Sequence, residues 1–123
     1  MPFATKFTLE QRLAESKRIR EKYPNRIPCI IERAAVSNKS IPDIDKHKYL
    51  VPADIKMSAV MQIIRKRMGQ QLQPEEALYM FVRTAQDKTV IAPMNTEMVS
   101  LDEKHRGQDG FVYIEYAGET TFG

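Results

Sequence analysis

Few side chains in this sequence are of a type, or at a spacing, to do chemistry. Cys29 stands alone, so no intramolecular disulfide can form, and its thiol is either a nucleophile or ligand or simply a buried apolar group. No base lies near it, and the surrounding run RIPCIIERAA is apolar, which favours the buried group. His47 and His105 lie far apart in polar stretches, so no zinc set assembles. There is no Gly-rich phosphate loop, nucleophile elbow or Cys-His signature. The expectation is a protein that is not an enzyme and needs no metal or cofactor.

What remains is charge and apolar surface. The net charge of +3 hides an asymmetry: residues 1–67 carry fifteen Lys and Arg against seven Asp and Glu, and the rest four against nine. A basic first half suits a negatively charged partner, whether an acidic peptide, an anionic membrane surface or nucleic acid. No aromatic-basic stacking pattern is present and the second half is acidic, so nucleic acid is not expected. At 123 residues, 42% apolar and 28% charged, the chain reads as one soluble globular domain. No apolar run approaches the roughly 20 residues that cross a bilayer, and MPFATKFTLEQ has no apolar signal core. A membrane role must therefore come through an attached lipid or a partner, and the lone cysteine fits a reducing cytoplasm.

The elements that would position these groups can be read in order. Thr8-Leu9-Glu10-Gln11 forms a capping box for a helix reaching about Tyr23, where Pro24 stops it. Leu9, Leu13 and Ile19 are expected on its apolar side, and Lys17, Arg18, Arg20 and Lys22 on a solvated basic face. Arg26 to Ala35 reads as a central strand. Lys48 to Pro52 is a short strand whose proline cannot donate to a ladder, which puts it at a sheet edge. Met57 to Met68 is a helix ended by Gly69, and strands follow at Leu78 to Arg83 and Phe111 to Tyr116. This order predicts an α+β fold with a four-stranded mixed sheet, one helix across a face and an N-terminal helical extension. The expected divisions are about 1–25 for the extension, 26–116 for the core and 117–123 for a flexible tail.

Several stretches closely resemble the autophagy ubiquitin-like modifiers of the light-chain-three and GABA-receptor-associated-protein types. They are Tyr23-Pro24-Asn25-Arg26-Ile27-Pro28, the run DKHKYLVPAD from Asp45 to Asp54, Ile64-Arg65-Lys66-Arg67, Asp109-Gly110-Phe111-Val112-Tyr113, and Gly118-Glu119-Thr120-Thr121-Phe122-Gly123. The matches lie in order from about Phe7 to the last residue. The resemblance implies a ubiquitin-like β-grasp fold with two helices added at the N-terminus. It also implies conjugation through Gly123 to phosphatidylethanolamine, and docking of receptor peptides with an aromatic residue, two spacers and an aliphatic residue. Implied partners are activating and conjugating enzymes of the ubiquitin type and a deconjugating cysteine protease. The implied location is the cytoplasm and, once lipidated, the autophagosome or a related organelle membrane. A modifier conjugated to proteins instead of lipid is the alternative.

An edge strand equips such a chain for docking, because its unpaired N–H and C=O groups can pair with an extended peptide. Alternation puts Lys48 and Leu50 on one side and Tyr49 and Val51 on the other. By resemblance, Glu15, Ile19, Pro28, Ile30, Lys48, Leu50 and Phe111 line an aromatic pocket. Tyr49, Val51, Pro52, Ile55, Val60, Ile63 and Ile64 would line an aliphatic one. Lys46 and Arg67, with Lys48, would attract acidic residues flanking the motif. Val60 stands where phenylalanine is common in the family, which implies a roomier aliphatic pocket. Ser37 to Ser40 and Gly69 to Gln71 look longer than usual. Nothing follows Gly123, where many members carry residues that a protease removes. Tyr79-Met80-Phe81-Val82 matches a second docking surface proposed for helical ubiquitin-interacting motifs.

Overall fold

Thr8 caps the main N-terminal helix. Its hydroxyl accepts the Gln11 N–H at 3.1 Å, and the Gln11 side-chain oxygen accepts the Thr8 N–H at 2.9 Å. The computed structural model describes residues 2–34, 41–72 and 76–118. Its elements are α1 (Phe3–Lys6), α2 (Leu9–Lys22), β1 (Arg26–Arg33), β2 (Lys48–Pro52), α3 (Met57–Met68), a 3-10 turn (Gly69–Gln71), β3 (Tyr79–Arg83), β4 (Thr89–Ile91), α4 (Met98–His105) and β5 (Val112–Ala117). Gly69 leaves α3 at a φ of 59°, which a glycine adopts without strain.

The sheet has five strands in the order β2-β1-β5-β3-β4, with β1 and β5 parallel and the other pairs antiparallel. Pro52 thus ends an edge strand, as its missing N–H demands. One face carries the main core, where Cys29, Ile31, Met80, Val82, Ile114 and Tyr116 pack with Val60 and Ile64 of α3 and Met98 and Leu101 of α4. The opposite face carries α1 and α2 over Ile30 and Phe111. This is the ubiquitin-like mixed sheet with its N-terminal addition.

Three expectations need correction. The sheet has a fifth strand, β4, which three residues form by pairing with β3. The expected tail loses its first residue, because Ala117 is the buried last residue of β5. The third concerns the face by which α2 docks. Leu9 and Leu13 are 38% and 42% exposed, and the buried residues of α2 are Ser16 and Ile19.

The helix is held largely by polar contacts. The Ser16 hydroxyl donates to the Asp109 carbonyl at 2.6 Å, and Arg12 donates to the Asp109 carboxylate at 2.6 Å. Asp109 is buried and also accepts the Phe111 N–H and the Tyr113 hydroxyl. The next residue, Gly110, has a φ of +87° and approaches so closely that a Cβ would collide with the Ser16 hydroxyl. Arg20 donates two bonds to the buried Asp102 of α4 at 2.7 and 3.0 Å, and Arg106 adds two more at 2.7 and 3.1 Å. Arg20 is therefore an anchor, while Lys17, Arg18 and Lys22 are exposed as expected.

Candidate functional site

The edge strand β2 pairs with β1 alone, so one side of its backbone is open. The Ile31 N–H donates to the His47 carbonyl at 2.8 Å just before the strand. Bonded and non-bonded pairs alternate in an antiparallel ladder, so Tyr49 and Val51 point their backbone groups at β1. Lys48 and Leu50 turn theirs outward, toward whatever lies alongside. Pro28 faces Leu50 across a non-bonded pair, which is why a proline fits inside β1 without losing a ladder bond to β2.

The side chains of β2 divide between two apolar clusters. Leu50 packs against Ile19, Ile30 and Phe111, joined by Phe3 and Tyr113. Tyr49 and Val51 join Val60 and Ile64, with Ile55 partly buried beside them. Val60 and Ile64 are fully buried, whereas Ile63 is 37% exposed. Pro28 is buried and Pro52 exposed, both within the pairing that holds β2. Ile19, Ile30, Leu50 and Phe111 thus lie on one side of the edge strand and Tyr49, Val51, Ile55, Val60 and Ile64 on the other, whereas Pro52 follows Lys48 and Leu50 in the alternation and joins neither cluster.

The candidate cations already have partners. Lys48 pairs with Glu15, across the aromatic cluster. Arg67 lies 3.4 Å from Asp45, and the Lys46 ammonium stands 5.1 Å from the Tyr49 ring centroid. Burial pushes the Tyr49 hydroxyl pKa up, with Arg67 pulling it back in part. That hydroxyl is buried, and among the described residues none meets it in good hydrogen-bond geometry, Arg67 acting on it only weakly, a cost that a bound polar group can relieve. Cys29 is fully buried, and burial followed by the nearby Asp102 charge pushes its thiol up to about 12. Its thiolate is therefore scarce at neutral pH.

Two contributors escaped the sequence reading. Arg26 donates to the Leu50 carbonyl at 3.2 Å, one of the outward-facing groups of β2. Tyr113 joins the aromatic cluster; only alternation with Phe111 hinted at its side. The strand of the second proposed docking surface is less available. β3 is paired on both edges, and of Tyr79, Met80, Phe81 and Val82 only Tyr79 is exposed. Gly123 lies outside the described residues.

The chain matches the family model described as "Autophagy protein Atg8 ubiquitin like" over residues 11–123. Autophagy-related protein 8d of Arabidopsis thaliana is 46% identical over 121 residues, covering 98% of this chain and 93% of that protein. Autophagy-related protein 8B of Oryza sativa subsp. japonica is also 46% identical over 121 residues, covering 98% and 94%. The crystal structure of Trypanosoma brucei ATG8 superposes with a TM-score of 0.80 at 35% identity, covering all of this chain and 98% of that one.

Proposed function

This chain belongs to the Atg8 family of ubiquitin-like autophagy proteins, and from that premise we propose that it is a modifier joined through Gly123 to phosphatidylethanolamine. On the membrane of a forming autophagosome it recruits receptors that carry an aromatic-x-x-aliphatic motif. Among the described residues no helix is long and apolar enough to cross a membrane, so the lipid supplies the anchor. Its partners are the activating and conjugating enzymes, a deconjugating cysteine protease and the receptor peptides. The unconjugated protein resides in the cytoplasm.

The observation that carries the docking half is the unpaired sheet edge at Lys48 and Leu50, where only the exposed Arg26 side chain meets the Leu50 carbonyl, between two apolar clusters. An extended peptide pairing there places alternate side chains on opposite sides of β2. Calorimetry with a Trp-x-x-Leu peptide tests it. Leu50→Ala weakens binding mainly through the aromatic residue and Tyr49→Ala mainly through the aliphatic one, each by about 1–3 kcal/mol. Unchanged affinity in both folded variants places docking elsewhere.

The flanking cations act on encounter more than on the bound state. An Asp or Glu ahead of the peptide's aromatic residue competes with Glu15 for Lys48 and with Asp45 for Arg67. Such a peptide associates faster than its neutral counterpart, and the advantage fades as the Debye length shrinks to ~3 Å near 1 M salt. Lys46→Glu removes part of this preference and spares the neutral peptide. Parallel salt curves for the two peptides on wild type contradict it.

A further inference from the structure

We propose that Phe3 is a positioning residue for peptide docking: through its ring, helix α1 holds Phe111, a wall of the aromatic pocket, in its receptive place. The inference rests on the docking reading and adds to it a residue outside the pocket. Phe111 is fully buried and forms one cluster with Ile19 and Ile30, against which Leu50 packs. Phe3 meets the Phe111 ring edge-on, with centroids 5.2 Å apart at 71°. Phe7 meets Phe3 in turn at 5.1 Å. Three rings therefore run from the end of α1 to the pocket.

The helix that carries Phe3 depends on these contacts. α1 has four residues and none of them is buried, too short to persist alone. Its first N–H, that of Phe3, donates to the Glu32 carboxylate at 2.9 Å. Glu32 lies two residues beyond Ile30 in β1, on the same face of the sheet. The strand that lends Ile30 to the pocket thus also anchors α1. At the other end Arg12 donates to the Phe7 carbonyl at 3.2 Å and to Asp109, two residues before Phe111. Anchored at both ends, Phe3 restricts Phe111 before any peptide arrives. Preorganisation of this kind lowers the ordering cost of binding. Without Phe3, Phe111 loses its ring partner and gains rotamer freedom.

The test uses the full chain and two readouts. In the free protein, Phe3→Ala shifts and broadens the methyl resonances of Ile19, Ile30 and Leu50, while those of Val60 and Ile64 on the other face hold. Glu32→Gln, which weakens the anchor and keeps the ring, moves the same methyls less. With a Trp-x-x-Leu peptide, Phe3→Ala lowers affinity about two- to tenfold, the range of one aromatic pair, and Phe3→Tyr restores most of it. In a Phe111→Leu background Phe3→Ala has no further effect. Changing the peptide's Leu to Ala weakens binding equally in wild type and Phe3→Ala, which a general loss of structure would not leave unchanged. Unmoved pocket methyls, or wild-type affinity in Phe3→Ala, overturn the proposal. If the methyls move but the wild type binds no peptide, the docking reading falls, and the proposal falls with it for a reason unrelated to Phe3.

Discussion

Deleting Gly123 abolishes the lipid-linked form and leaves the folded domain unchanged. In the proposed conjugation, ATP would activate the terminal carboxylate as an acyl-adenylate with loss of pyrophosphate, and an enzyme thiol would then take the acyl group as a thioester with loss of AMP. The phosphatidylethanolamine amine would then attack the carbonyl, forming an amide bond as the thiol leaves. Glycine has no Cβ, so its carbonyl is approachable inside a narrow enzyme site. Gly123→Ala therefore also blocks transfer, through crowding. The two acyl chains of such a product would hold it on the membrane where a single chain would bind only marginally. The fold does not need this residue, because the last strand, β5, ends at Ala117 with its pairings to β1 and β3 complete. In a reconstituted conjugation reaction, intact-mass analysis shows wild type gaining the lipid and the deletion variant gaining nothing. Urea unfolding of the two is superimposable. A lipid adduct on the deletion variant sinks this assignment.

The parts of the fold that were legible in the sequence are those whose local signals agree with their surroundings. Thr8 and Gln11 announce the start of α2, Gly69 the end of α3, and Pro52 an edge strand. Alternation from Lys48 to Val51 was enough to separate Leu50 from Tyr49 and Val51, which pack in different clusters. The missed elements depend on distant contacts. β4 has three residues, too few to show an alternation, and exists because β3 pairs with it through the Thr84–Lys88 turn. α4 was hidden because its inner side mixes Met98 and Leu101 with the buried Asp102, a residue that reads as exposed until Arg20 and Arg106 are found beside it. The same contacts mislead about α2. Its docking side is built from Arg12, Ser16 and Arg20 around the buried Ile19, so of the expected apolar residues Leu9 and Leu13 point at solvent. Partners for the docking cations, such as Glu15 for Lys48, are equally remote in sequence.

Asp102→Asn destabilises the fold by about 3 kcal/mol at neutral pH, and the loss shrinks in acid. The carboxylate is buried between two guanidinium groups, accepting two hydrogen bonds from each. Removing one partner of a buried pair is damaging because the charges left behind lose their compensation, typically by about 3–5 kcal/mol. The lower end applies because the Arg20 and Arg106 side chains are 23% and 49% exposed and can turn to water. Burial by itself raises the Asp102 pKa, but the bonds and charge from Arg20 and Arg106 outweigh it and hold the carboxyl below its ordinary value. A depressed folded-state pKa contributes stability that is fully present above the unfolded value, about 3.9, and is lost as pH falls through the folded one. The gap between wild type and Asp102→Asn therefore stays constant from neutral pH to the upper edge of carboxylate titration, then narrows from about pH 4 downward. Because Arg20 lies on α2 and Asp102 on α4, the variant also loosens the N-terminal helix, and amide exchange in α2 rises before that in β1 and β5. Urea unfolding across this pH range, with hydrogen exchange at neutral pH, measures both. A gap that stays the same down to pH 2 would mean that the charge on Asp102 contributes nothing to the attachment of α2.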